Sequence, residues 1–190
     1  MTRSFGLLTF TAALALTGCD SGTVPSPAER QQGEVEQQAV ASNAVELRSE
    51  GLAAGAEAFF FAAGQAEVEA ALVKALGAKL RTGSFDECGA GPMIFTDFSG
   101  GLTAHFQEGR LVGWNWHLAQ DGDLPGSGTV KMTGDVQLDS PRTAVQAAPG
   151  FALVEGSTLG EEFALGDRIG GFIEADKVAM LYAGTQCFFR

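Results

Sequence analysis

The sequence predicts an α+β fold in which two tandem repeats of strand, helix and antiparallel meander form a helix-on-sheet sandwich. Three observations predict it. Gln65 to Leu76 carries Val68, Ala71, Leu72, Ala75 and Leu76 at helical spacing. Glu108-Gly109 separates two alternating segments, a two-residue hairpin signal. A weaker version of the same order of features recurs after residue 134.

In the first repeat, about 57–117, Phe59-Phe60-Phe61 reads as a short buried strand. Gly64 can cap the following helix, with Glu67 at its third position, and Gly77 can end it. The chain then passes Cys88-Gly89-Ala90-Gly91-Pro92 to strand-like segments near 93–97, 102–107 and 110–116. In the second repeat, about 134–190, Val136-Gln137-Leu138 reads as strand, Ser140 as helix cap and Pro141 as the first helical residue. Thr143 to Ala148 forms a short helix that Pro149-Gly150 stops, and strand-like segments follow near 161–165, 170–174, 177–182 and 186–189. Gly100-Gly101-Leu102 is matched with Gly170-Gly171-Phe172, each opening a hairpin.

Charge and the amino-terminal segment bear on location. The formal net charge is -11, which disfavours nucleic acid and anionic lipid surfaces because both need cations to neutralise phosphate. Arg3 precedes an uncharged apolar run from Phe5 to Leu16, the layout of an export signal and too short to span a bilayer. Leu16-Thr17-Gly18-Cys19 resembles the lipobox of bacterial lipoproteins. That resemblance implies removal of residues 1–18 and acylation of Cys19, whose two or three chains hold a protein on a membrane. The mature charge becomes -12, since Arg3 is the charged residue lost. Asp20 fits the enteric inner-membrane pattern, and inner against outer membrane stays open.

Residues 20–43 are rich in Gln, Glu, Ser and Pro and hold no aromatic residue, so residues 19–43 read as the lipidated cysteine with a disordered tether. The tether places the domain roughly 25–30 Å from its lipid. Residues 44–190 are long enough for one α+β domain with its own core.

Cys88 and Cys187 remain after acylation. In an oxidising compartment an even pair reads as a disulfide; two buried free thiols or a reactive Cys88 are the alternatives. Neither has a second cysteine at metal-ligand spacing, and no metal or cofactor is expected. No G-x-S-x-G, P-loop, H-E-x-x-H or calcium loop occurs. The acidic pairs Asp121 and Asp123, Glu161 and Glu162, and Glu174 and Asp176 read as solvated charge.

A two-residue turn at Glu108-Gly109 sorts the hairpin's side chains. Leu102, Ala104, Phe106, Leu111 and Gly113 make a core face, and Thr103, His105, Gln107, Arg110, Val112, Trp114 and Trp116 point the other way. His105, Arg110, Trp114 and Trp116 are thus the candidate binding face, enriched in recognition residues. The competing reading buries both tryptophans beneath loop 118–128 or the second repeat, and a bulged turn would shift the register by one.

Cys88-Gly89-Ala90-Gly91-Pro92, Gly100-Gly101-Leu102, Phe106 and Gly109 to Trp114 are similar to a set of uncharacterised bacterial lipoproteins, some labelled aspartate-semialdehyde dehydrogenase. That label implies a dinucleotide-binding βαβ unit, a thiolate and a histidine base. Cys88 with His105 or His117 would have to serve, without any G-x-G-x-x-G opening a helix. The layout of 44–190 also resembles small periplasmic α+β assembly lipoproteins and the tandem-repeat β-lactamase inhibitor protein, and carries no functional residue across. The expected role is a membrane-anchored, periplasm-facing, non-catalytic module that binds an envelope protein or a small ligand. An enzyme and a structural envelope component are the alternatives.

Overall fold

The structure is a computed structural model that describes residues 41–118 and 126–188. Cys19, the export signal, the tether through residue 40, and Asp121 and Asp123 lie outside the described residues. The expected α+β sandwich does not form: the described residues are mostly β, with 47% strand and 12% helix. Among the described residues two helices, Gln65–Leu76 (α1) and Arg142–Gln146 (α2), serve as packing between and beside sheets.

One sheet has four strands: Ala44–Arg48 (β1), Gly51–Ala54 (β2), Glu57–Phe60 (β3) and Thr129–Met132 (β8), in the order β3-β2-β1-β8. Pairing is antiparallel except for β1 on β8, which is parallel. Phe59-Phe60-Phe61 is therefore no buried strand; it supplies an edge strand on which Phe60 is 66% exposed. The other sheet has eight strands in the order β4-β5-β6-β7-β12-β11-β10-β9. They are Arg81–Phe85 (β4), Met93–Phe98 (β5), Leu102–Gln107 (β6), Arg110–His117 (β7), Phe151–Leu153 (β9), Glu161–Leu165 (β10), Ile169–Glu174 (β11) and Lys177–Gly184 (β12).

The large sheet consists of two meanders, β4 to β7 and β9 to β12, that meet antiparallel at β7 and β12. The same backbone bonds fix the helix that precedes each. Gln65 N–H donates to Gly109 O at 2.8 Å and Arg142 N–H to Asp176 O at 2.8 Å. Leu111 N–H donates to Ala63 O, and Val178 N–H to Ser140 O. Both hairpin turns, Glu108-Gly109 and Ala175-Asp176, have positive φ at both residues, which matches the right-handed twist of the flanking strands. This geometry aligns His105 with Phe172 and moves Gly170-Gly171 inside β11, opposite Tyr182 and Leu181. The equivalence of Gly100-Gly101 with Gly170-Gly171 is therefore out of register. Val136-Gln137-Leu138 and residues 186–188 form no strand.

The inner face of the large sheet packs on α1 and the small sheet. Val68, Leu72 and Leu76 of α1 join Leu47 and Leu52 on one side and Phe98, Leu102 and Trp114 on the other. Near the edge of this core, Glu69 accepts hydrogen bonds from Thr96 Oγ1 at 2.8 Å and Gln65 Nε2 at 3.0 Å and pairs with Lys79. Burial alone would raise its carboxyl, but the bonds from Lys79, Gln65 and Thr96 hold it below the ordinary glutamate value.

Candidate functional site

A bulge decides which hairpin residues face where. Phe106 pairs with Leu111 while His105 pairs with Gly113, so Val112 is the extra residue in β7. From there on every β7 side chain lies on the opposite face from that expected. Trp114 and Trp116 therefore join Leu102 and Ala104 in the core, 0% and 7% exposed. The Trp114 indole N–H donates to Arg48 O at 3.0 Å and Gly51 O at 2.9 Å, pinning the β1–β2 turn to the large sheet. The Trp116 indole N–H donates to Gly100 O at 2.9 Å. The two tryptophans thus leave the candidate binding face.

His105 stays on the outer face, the one turned away from the helices, and is 3% exposed there. Asn115 Nδ2 donates to its Nε2 at 3.2 Å, which leaves Nδ1 as the protonated nitrogen, donating to Thr185 O at 3.3 Å. Burial lowers its pKa below the ordinary histidine value, against the opposing pull of the Thr185 carbonyl and Asp97. The ring is neutral and both nitrogens are engaged. It borders a polar cleft of about 180 Å³ with Arg81, Asp97, Thr103, Asn115, His117 and Cys187. Arg81 is paired with Asp97 at 2.8 Å and lies over the Phe95 ring, 4.9 Å from its centroid, and Thr103 Oγ1 donates to Asp97 at 2.8 Å. The cleft's polar groups are largely bonded to one another.

The outer face also explains two glycines. A β-carbon on Gly83 would sit 2.6 Å from Phe95 Cζ, so Phe95 can lie across the strand only because that carbon is missing. Gly170 makes the same room for Tyr182. Beside Tyr182, the Phe188 ring packs edge-on against Tyr182 and Phe172, with centroids 5.0 and 5.5 Å apart.

A larger recess is a different one, an open groove of about 1020 Å³ beside the β6–β7 turn. Phe61, Met93, Ile94, Phe106, Leu111 and Val112 give it an apolar lining, and Gln107, Arg110, Asp86 and Glu108 supply polar groups. Arg110 is exposed and donates through Nη1 to Ala62 O at 2.9 Å. Arg48, Arg81, Arg142 and Arg168 are all ion-paired, whereas Arg110 has no carboxylate at ion-pair distance among the described residues. Ile94, 40% exposed, is one of the few large apolar side chains open to water.

Of the sequence candidates, then, Arg110 borders the groove and His105 the cleft. Cys88 is buried and Cys187 half-buried, and both are free thiols that neighbour one another. Burial and the neighbouring Cys88 push the Cys187 thiol up to about 11, so it is protonated at neutral pH. Glu162, read as solvated, is instead 2% exposed and accepts hydrogen bonds from Tyr182 at 2.5 Å and Ser157 at 2.6 Å. Glu161 pairs with Arg142. Among the described residues no cluster of three or more His, Cys, Asp or Glu could hold a metal, and no helix is long and apolar enough to cross a membrane. No family model matches the chain, and no curated protein or solved structure is significantly similar to it.

Proposed function

We propose that the chain is a lipid-anchored, periplasm-facing binding module that uses the groove at the β6–β7 turn. The observation that carries this reading is the pairing of an open, apolar-lined recess of about 1020 Å³ with an arginine that, among the described residues, has no carboxylate at ion-pair distance. A volume near 300–1,000 Å³ with a few convergent polar groups is the usual form of a ligand site. The lining selects a partner with an apolar body, either a small molecule or a segment of an envelope protein. Arg110 selects an anionic or carbonyl group on it. The sequence Leu16-Thr17-Gly18-Cys19 supports the anchor. Location in the envelope in turn narrows the partners to what that compartment offers.

A binding role is favoured over the enzymatic one by the state of the two best candidate catalytic groups. Both ring nitrogens of His105 are bonded and Cys88 is buried, so neither is set to act as base or nucleophile.

Photocrosslinking in intact cells tests the groove. A photoreactive phenylalanine analogue at Ile94 should give a discrete adduct that Arg110→Glu abolishes, while the same analogue at Val73, exposed on α1, gives none. Equal labelling from both positions, or none from Ile94, would refute the proposal.

A further inference from the structure

We infer that Cys88 and Cys187 form a modification site, oxidised to one intrachain disulfide that fastens residues 185–188 across the outer face and closes the cleft over His105. All of β5 to β12 lies between the two cysteines in sequence, yet the two thiols are neighbours in the fold. Each is placed by bonds of its own. The turn after Cys88 closes with Gly91 N–H donating to Cys88 O at 2.9 Å, and Gln107 Nε2 ties it to β6 through Ala90 O at 2.9 Å and Gly91 O at 3.1 Å. The segment holding Cys187 is fixed by Thr185 N–H donating to Val112 O at 2.8 Å. Gln186 Nε2 adds bonds to Trp114 O at 3.0 Å and Ala183 O at 2.8 Å. Phe188 then packs on Phe172 and Tyr182. Two segments anchored independently to one sheet bring the two cysteines near one another, and a cross-link needs that approach.

The backbone leaves room for the crossing segment. Gly113 lies directly under Thr185, whose carbonyl occupies the space a β-carbon would need. The same carbonyl accepts from His105. A bond at Cys187 therefore fixes the lid of the cleft, because Cys187 and Phe188 both line it.

The chemistry balances against a disulfide oxidant of the envelope, either a small molecule or a thiol oxidoreductase. One thiol loses its proton and attacks a sulfur of the oxidant, which releases one thiol and leaves a mixed disulfide. The second thiolate displaces the remaining thiol, so that two electrons and two protons end on the oxidant. The raised pKa of the Cys187 thiol makes uncatalysed oxidation slow at neutral pH and faster in alkali.

This inference does not depend on the groove, and it fails or stands separately from it. The full-length protein, purified from membranes in detergent with free thiols blocked on lysis, is mapped by unreduced peptide mass spectrometry. A linked Cys88–Cys187 peptide is expected, and reduction should speed amide exchange in residues 103–107 and 185–188 by about tenfold or more. Cys88→Ser and Cys187→Ser should each show the fast exchange without reduction, while reduced parent protein that retains its circular dichroism controls for folding. Both thiols recovered blocked, a bond from either to Cys19 or to a second chain, or exchange indifferent to reduction would each overturn it.

Discussion

Replacing Trp114 with phenylalanine separates a core anchor from a recognition residue. The indole is 0% exposed and its N–H is shared between the carbonyls of Arg48 and Gly51 at 3.0 and 2.9 Å. Phenylalanine keeps most of the apolar volume and removes the donor. The bond to Gly51 is buried, so its carbonyl bears an unsatisfied-group cost of roughly 1–3 kcal/mol. Arg48 O is partly wet and recovers a water, so it adds little. The void left by the smaller ring contributes about 1 kcal/mol more. The variant should therefore lose about 2–4 kcal/mol, which lowers the urea midpoint by about 1–2 M for a small protein. Equilibrium urea unfolding followed by far-ultraviolet circular dichroism reads this directly. Because Trp116 is also buried, acrylamide should scarcely quench the native parent. A loss below about 0.5 kcal/mol, the range of an ordinary surface substitution, would refute the anchoring role, as would quenching near that of free indole.

Other outcomes follow from the buried polar groups. His105 has a folded-state pKa below its ordinary 6.5, so it contributes stability above that pH and loses it as pH falls through the lower folded value. Urea unfolding between pH 7 and 5 should show a decline that His105→Gln flattens. Glu69 has the same sign in a lower window: its carboxylate stabilises above about pH 4.5 and the contribution fades as pH drops through its depressed folded value. Glu69→Gln should cost about 1–3 kcal/mol at pH 7 and much less at pH 3, measured the same way. Gly170→Ala should push the Tyr182 ring from its seat and cost about 1–3 kcal/mol, visible as a lower Tm.

Where side chains reported the local environment, the sequence could be read. Helix α1 showed itself because Val68, Ala71, Leu72, Ala75 and Leu76 trace one stripe and Gly77 follows at φ 101°. The hairpin at Glu108-Gly109 was legible for the same kind of reason, since the turn dictates its residues. Strands β1, β2, β4, β8 and β9 were not. All four residues of β2, Gly51-Leu52-Ala53-Ala54, are buried, so no alternation marks it, and β4 keeps a glycine where Phe95 must cross. The partner of β8, which is β1, lies far along the chain, and such a contact leaves no local trace.

The binding face failed for a narrower reason. One unpaired residue, Val112, flips everything after it, because side chains alternate with a period of two. Nothing in Leu111-Val112-Gly113 announces the bulge. Arg110, ahead of the bulge, was correctly singled out as facing away from the core, and the groove beside it became visible only when Phe61 and the loop at Pro92 were brought against the hairpin.

The proposed anchoring at the membrane is the premise on which the groove's partners and the sulfur chemistry would belong to the envelope. The direct measurement is the intact mass and fractionation of the chain expressed from its own start codon, compared with Cys19→Ala. A membrane-bound product that lacks residues 1–18 and carries acyl mass on Cys19 is expected, with the variant released or left uncleaved. Unmodified protein in the soluble cytosolic fraction, identical in mass and location to the variant apart from the substitution itself, would contradict it.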